Sequence, residues 1–143
     1  MNKSTYKKKF PLAERKIREL GERVTLARVC VLSYLLTTKT AQTHLEIEHA
    51  LSDENDIDRV TIYRVLEWLT TVKLVHKISG EDRIWRFSIE PEFHDRHAHF
   101  NCTDCGKVYC LEQLMPRKIN LPPGYKSQQL DLTIKGLCAH CSA

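Results

Sequence analysis

The sequence has no apolar run approaching the roughly 18 residues of a transmembrane helix, so we expect no membrane span. No apolar segment follows the basic residues near the N-terminus, so we also expect no secretory signal and a cytoplasmic protein. Internal repeats and low-complexity tracts are lacking as well. A hydrophobic content of 42% nevertheless suffices for packed cores, which excludes a disordered chain. The 143 residues predict one domain or two small ones.

An excess of basic over acidic residues is found in only one part of the chain. Residues 1–88 contain 16 Lys and Arg against 12 Asp and Glu, whereas residues 89–143 contain 6 of each. The formal net charge of +4 therefore lies entirely in the first part. Such a distribution indicates an anionic partner, most simply nucleic acid, although a solvated surface would have the same composition.

The first part predicts a series of helices followed by a hairpin. Helices are expected at 12–20, 25–36, 43–51 and 58–71, where apolar residues recur three or four positions apart. Two β-rich runs, LVHKIS and RIWRFS, flank a glycine-containing turn and predict the hairpin. This order of elements, in which helices precede a hairpin, is typical of a winged helix-turn-helix module.

The remaining residues predict a second, smaller unit. Residues 89–96 include a proline and have no clear period, so we interpret them as a hinge between domains at 1–88 and 97–143. Strands are expected at 97–101, 107–110 and 128–134, and a helical turn at 111–115. The predicted fold class is therefore α+β.

Six cysteines in a cytoplasmic protein are more often metal ligands or redox groups than disulfides. Two C-x-x-C pairs stand out, Cys102 with Cys105 and Cys138 with Cys141. Each pair supplies two thiolates, and together they predict the tetrahedral sulfur cage of a structural zinc site. The pairs lie far apart in the chain, so the ion would join two strands. A redox-active C-x-x-C pair and an iron–sulfur cluster are the alternatives.

A second set of potential ligands is interleaved with the first. His97 and His99 share one face of a predicted strand, and Cys110 in the neighbouring run could join them. A fourth ligand from the other domain would let metal fix the angle between the domains. His44 is the candidate, because it falls beside the apolar stripe of its helix whereas His49 falls opposite. The alternative ligands are His94, Glu90 and Glu92. Without a metal, these would be ordinary strand residues with a buried thiol at Cys110.

Three further residues that could bind metal are not predicted to belong to either site. His76 and His140 are expected at the surface. Cys30 lies within a predicted helix and is expected to be a buried thiol.

The helix at 58–71 has outward side chains that suit DNA recognition. Tyr63 and Arg64 could reach base edges, Val60 could meet a thymine methyl group, and Arg59 could contact phosphate. Further predicted contacts are Thr61, Arg28, Thr25 and the lysines near residue 8. Any of these residues, taken singly, could equally be an ordinary exposed helix residue.

Four segments together resemble the ferric uptake regulator family of bacterial metal-responsive repressors. They are RVTLAR at 23–28, DRVTIYRVL at 58–66, HAHFNCTDCGKV at 97–108 and GLCAHC at 136–141. The resemblance implies a homodimer with an N-terminal winged helix and a C-terminal α/β dimerisation domain, which binds an AT-rich palindromic operator when metal is bound. It also implies DNA contacts by Tyr63 and Arg64, structural zinc on the four cysteines, and the sensed metal on His97 and His99.

Several positions depart from the family's pattern. The family often has a histidine at Ala41, and its carboxylate after the wing aligns near Arg86. Its carboxylate after CGKV is replaced by Cys110, and its later histidine aligns near Leu130, which implies that a third metal site is absent. The sensing site thus shifts from oxygen towards sulfur and nitrogen ligands, which suit Zn²⁺ better than Mn²⁺.

The function predicted is a zinc-sensing transcriptional repressor without enzymatic activity, with Zn²⁺ at both sites. An iron, manganese or peroxide sensor of the same family is one alternative. A C-x-x-C thiol oxidoreductase and an unregulated, zinc-stabilised interaction module are the others.

Overall fold

Helices make up the first part of the structure, and two small sheets follow them. A computed structural model of the chain describes residues 5–52, 56–90, 96–111, 119–128 and 130–143, and only the backbone of residues 96 and 97. A 3-10 helix at Thr5–Lys9 precedes α1 (Phe10–Glu19), α2 (Leu26–Thr37), α3 (His44–Leu51) and α4 (Arg59–Thr71). The strands are β1 (Gln42–Thr43), β2 (Val75–Ser79), β3 (Trp85–Ile89), β4 (Arg96–Cys102), β5 (Val108–Leu111) and β6 (Leu130–Gly136).

Side-chain caps fix where three of the helices begin. The hydroxyl of Thr25 accepts a hydrogen bond from the amide three residues on at 3.2 Å, and the Asp58 carboxylate does the same at 2.7 Å. Thr43 and Glu46 form a reciprocal capping box at the start of α3. These starts confirm the predicted helices. The turn that follows α1 contains Gly21 with φ +73°, a conformation that glycine adopts without strain.

The helices pack around one apolar core. Ile17 of α1, Leu32 of α2, Ile47 of α3 and Leu66 of α4 are all fully buried in it. The hairpin β2–β3 closes this core with Val75 and Phe87. Among the described residues, no helix combines the length and apolar character needed to cross a bilayer.

Leu32→Ala is expected to lower the free energy of unfolding by about 2–5 kcal/mol, because it removes buried methyl groups and leaves a cavity. Leu26→Ala, at the exposed start of the same helix, is expected to change it by less than about 0.5 kcal/mol. Urea unfolding followed by circular dichroism measures both. Equal effects of the two substitutions would contradict the assignment of the core.

The two sheets each contain three strands within the described residues. The first has the order β1-β3-β2 and is antiparallel. The second has the order β5-β4-β6, with β4 antiparallel to β5 and parallel to β6. The hairpin and the three later strands were predicted, and the half-buried residues of β6 alternate as expected. The short strand β1 was not predicted. The predicted helical turn at 111–115 falls mainly outside the described residues.

Several contacts join the first part of the chain to the second sheet. The amide of Ala41 donates to the carbonyl of Val108 at 2.8 Å, and Thr40 forms an isolated antiparallel bridge with Tyr109. Lys135 of β6 forms an ion pair with Glu81 of the β2–β3 turn at 2.7 Å. The ion pair is exposed and contributes little by itself. Strand β2 also lies close to β4, because Nε2 of His76 is 3.3 Å from Nε2 of His99.

Candidate metal centres and DNA-binding face

The four cysteines of the two C-x-x-C pairs come together at one end of the second sheet. Cys102 ends β4 and Cys105 follows in the turn, while Cys138 and Cys141 follow the parallel strand β6. Their sulfur atoms all lie within 4.8 Å of one another, and those of Cys105 and Cys138 are 3.9 Å apart. Sulfur atoms bound tetrahedrally to zinc at about 2.3 Å would be about 3.8 Å apart. The group therefore has the size of a zinc cage.

The surroundings of this cysteine group favour the thiolate at Cys102 and Cys138, whereas the hydrogen bond of Cys141 with Cys138 raises the pKa of the Cys141 thiol. The backbone amides of Cys105 and Cys138 donate hydrogen bonds to the Cys102 sulfur and lower its pKa to about 6. The Tyr109 hydroxyl donates to the sulfur of Cys138, which raises the pKa of Tyr109 to about 12. All the cysteines are free of disulfides. Because zinc binds deprotonated sulfur, the donor set fits the predicted structural zinc.

A second group of ligand atoms bridges the two sheets. His99 on β4 and Cys110 on β5 are directly paired in the register, and His76 on β2 approaches them from the first sheet. The ligand atoms of these three residues lie within 4.8 Å of one another, and the Nε2 atoms of the two histidines are 3.3 Å apart. Just after β3, a carboxylate oxygen of Glu90 lies 3.5 Å from Nδ1 of His76. Two nitrogens and one sulfur so placed can share a borderline divalent cation such as Zn²⁺.

The prediction that His76 is an ordinary surface residue is wrong. Its side chain is only 11% exposed, because β2 presents it to the second sheet on the face opposite the buried Val75. Strand alternation indicated which face His76 occupies, but nothing in the sequence indicated what would cover that face. His140 is exposed and Cys30 is fully buried, as predicted.

Of the remaining predicted metal ligands, some fall outside the described residues and His44 lies away from the group around His99. His97 lies in β4, paired with Asp131, and its side chain falls outside the described residues. Residues 92 and 94, where Glu92 and His94 were alternatives, also fall outside them. His44 is buried and His49 is exposed, as predicted. The structure does not bring His44 to the group around His99, because the His44 ring lies against α4.

The outward face of α4 carries most of the predicted DNA contacts. Val60 and Tyr63 are about half exposed, Arg59 and Arg64 are exposed, and Thr61 is half-buried. A groove of about 800 Å³ runs between α4 and the β2–β3 hairpin beside these residues. The arrangement presents two cations and a phenol on one helical face, which is the surface that a DNA-reading helix needs.

Arg28 is engaged within the protein. Its guanidinium lies 3.8 Å above the ring centre of Trp68 and donates to the carbonyl of Arg23 at 2.7 Å. The cation–π contact joins α2 to α4. Arg28 therefore helps to fix the position of α4, apart from any contact that it makes with DNA.

Comparison with known proteins identifies the family. The ferric uptake regulator family model matches residues 19–129, which is most of the chain. The chain belongs to the ferric uptake regulator family. Members of this family are metal-responsive transcription regulators that bind operator DNA as dimers, so the chain is a regulator of this kind and not an enzyme.

The names of proteins similar to this regulator mention different signals or metals, namely peroxide, iron and zinc. The peroxide-responsive repressor PerR of Staphylococcus aureus is 33% identical over 131 residues, which cover 87% of this chain and 86% of that protein. Solved structures with the same fold include the ferric uptake regulator of Helicobacter pylori, with a TM-score of 0.65 and 18% identity over 97% of this chain and 95% of that one. A zinc uptake regulator in complex with zinc and DNA has a TM-score of 0.66 and 19% identity over 96% and 95% of the two chains.

Proposed function

We propose that this family member is a zinc-responsive repressor that binds operator DNA as a homodimer. The proposal rests on one observation, the group of His76, His99 and Cys110 between the two sheets. Residues 1–88 would form a winged helix, residues 89–96 a hinge, and residues 97–143 the dimerisation domain. In this assignment α4 is the recognition helix and the β2–β3 hairpin is the wing.

The proposed regulatory site takes its ligands from both units. His76 belongs to the hairpin, whereas His99 and Cys110 belong to the second sheet. His97 stays a candidate for the fourth ligand, because residues two apart in a strand share a face. Glu90 would accept a hydrogen bond from Nδ1 of His76, which leaves Nε2 towards the metal and fixes the ring.

The donor types favour zinc over harder cations. Nitrogen and sulfur ligands suit Zn²⁺, whereas Mn²⁺ prefers carboxylate, carbonyl and water oxygens. Cys110 is the residue that carries this preference, because it contributes the sulfur of the group. Bound metal would join the donors of the two sheets and hold β2 against β4 and β5.

Holding the hairpin against the second sheet would set the position of α4 in each protomer. A dimer reads two half-sites whose centres are about 34–36 Å apart, or a multiple of that distance. A regulator whose two α4 helices are held at such a spacing binds tightly, and one whose helices move binds weakly. Metal therefore shifts the population towards the DNA-binding arrangement.

A titration of DNA binding with Zn²⁺, Fe²⁺ and Mn²⁺ tests the proposal. The probe is a duplex selected from a random library by the zinc-loaded protein, and fluorescence anisotropy reports binding. Zn²⁺ is expected to raise affinity at the lowest free concentration of the three metals. Cys110→Ala is expected to raise the free zinc concentration at half-maximal DNA binding by at least about tenfold, the loss that is typical even when only an outer partner of a ligand is removed. His140→Ala, an exposed residue outside both sites, is the control.

A peroxide sensor is the second candidate, because a relative at 33% identity is a peroxide-responsive repressor. It would respond best to a redox-active metal, and hydrogen peroxide would then release the DNA. A Cys110→Ala variant with an unchanged zinc response would contradict zinc sensing at this site. Peroxide-dependent release of the Fe²⁺-loaded protein would favour the second candidate.

A further inference from the structure

His44 lies directly against Tyr63, an exposed aromatic side chain of the proposed recognition helix. The rings of His44 and Tyr63 are stacked, with centroids 3.5 Å apart and planes inclined by 17°. His44 is 9% exposed and Tyr63 is 50% exposed. The imidazole therefore covers one part of the phenol while the rest faces solvent.

The backbone that carries His44 is held from two sides. His44 is the first residue of α3, directly after the Thr43 capping box. Thr43 and Gln42 form β1, which pairs with Arg86 and Phe87 of β3. Helix α3 thus begins where the sheet fixes it, and His44 offers a rigid surface to the side chain above it.

Helices α3 and α4 make a second contact, which lies one turn after His44 in α3. Glu48 of α3 lies 3.3 Å from Nε of Arg59 and 3.8 Å from Nδ1 of His44. His44 and Glu48 are four residues apart, as are Arg59 and Tyr63, so the pairs face each other across the helix contact. Burial lowers the pKa of His44, and the neighbouring Glu48 opposes this shift. A neutral imidazole stacks on the phenol without adding a cation to this contact.

We propose that His44 is a positioning residue for DNA recognition, which holds the Tyr63 ring ready to meet a base. This inference rests on the proposed function, since it assumes that α4 reads DNA. A tyrosine held before binding loses less conformational freedom on the DNA than a free one. His44 would thus raise sequence preference without itself touching DNA.

The test compares affinity for the selected duplex with affinity for a scrambled duplex of equal composition, at fixed zinc. His44→Ala is expected to lower this specificity ratio about three- to tenfold, since the order of one aromatic side chain is lost. His44→Phe keeps a flat ring and is expected to stay within about twofold of wild type. His49→Ala, on the exposed side of the same helix, is the matched control. If His44→Ala melts below the assay temperature, His44→Leu, which fills the space without an aromatic face, replaces it.

A double-mutant cycle separates positioning from a general effect on folding. In a Tyr63→Ala background, His44→Ala is expected to cause no further loss of specificity, because the side chain that it positions is gone. A purely structural role would give equal losses in both backgrounds and on both duplexes, and would overturn the inference. So would a His44→Phe variant that is as impaired as His44→Ala.

The cycle also distinguishes this inference from the proposed function. If wild type shows no preference for the selected duplex, DNA recognition itself fails. If wild type does and His44→Ala retains the full preference, the positioning role alone is wrong. Loss of the zinc response in both His44→Ala and His44→Phe would make His44 a metal ligand instead, and would likewise overturn the inference.

Discussion

Cys138→Ser is expected to remove the structural zinc and to unfold the second sheet. The four cysteines lie where the parallel strands β4 and β6 end, so the ion would join two strands that the chain connects only by a long crossover. Apparent stabilisation by structural zinc reaches about 10–16 kcal/mol in small peptides. Loss of one thiolate ligand therefore removes much of the free energy that keeps β4 and β6 together.

The small apolar core of the second sheet makes this effect large. Among its described residues, the buried apolar side chains are Ala98 and Val108 together with the cysteines 102 and 138. Two of these four are proposed zinc ligands. Area burial alone supplies little free energy to so small a core. The helical part has its own core, and it is expected to stay folded in the variant.

Hydrogen exchange followed by mass spectrometry, with zinc content measured on the same sample, tests this prediction. Cys138→Ser is expected to lose bound zinc and amide protection in 96–111 and 130–143, while 10–52 keeps its protection. Cys30→Ala is the matched control, because Cys30 is a buried thiol in α2 outside both metal groups. It is expected to keep all its zinc. A Cys138→Ser protein with a protected second sheet would contradict a structural role for this site.

Local signals explain which parts of the structure could be predicted from the sequence. A cap such as Thr25 or Asp58 acts on amides three residues away, so its pattern is complete within one short segment. The C-x-x-C pairs are also local, and the chemistry of zinc dictates how two such pairs combine. The predicted helices, the hairpin and the cysteine group all depend on information of this kind.

The group of His76, His99 and Cys110 could be predicted only in part, because it depends on packing between distant segments. Pairing of His99 with Cys110 follows from two neighbouring strands, so the sequence predicts that these two residues lie together. His76 joins them only because the hairpin packs against the second sheet, through contacts such as the ion pair of Glu81 with Lys135. His44 and His76 are both histidines of the first part. Helix periodicity made His44 the candidate fourth ligand, whereas the structure places His76 beside His99. Long-range packing, which no short pattern contains, decides between them.

His76→Ala is expected to make operator binding almost independent of zinc. The residue supplies the only described ligand of the group from the first part of the chain. Without it, His99 and Cys110 can still bind metal weakly, but that metal no longer holds the hairpin to the second sheet. With saturating zinc, the variant is expected to bind DNA only as tightly as wild-type protein that carries no zinc at the proposed regulatory site. Anisotropy titrations with zinc on the selected duplex measure both states.

Glu90→Gln is expected to have a smaller effect on the zinc response than His76→Ala. An amide keeps the size of the side chain but orients Nδ1 of His76 less strongly than a carboxylate does. Loss of such an outer partner typically costs about 10–100-fold in metal affinity, so the zinc midpoint is expected to shift by that factor while the response at saturation stays full. His76→Ala and Glu90→Gln thus differ in kind, because loss of the ligand from the hairpin abolishes the response and loss of that ligand's partner moves its midpoint.

The comparison of His76→Ala with His44→Ala decides which histidine couples metal to DNA. If His76 is the ligand, His76→Ala loses the zinc response and keeps the specificity ratio of whatever binding remains. His44→Ala is then expected to show the reverse, a full zinc response with a reduced specificity ratio. The two substitutions affect separate steps, since one changes the population of the binding arrangement and the other changes how that arrangement reads bases. A His76→Ala protein with the wild-type zinc response would contradict the proposed regulatory site.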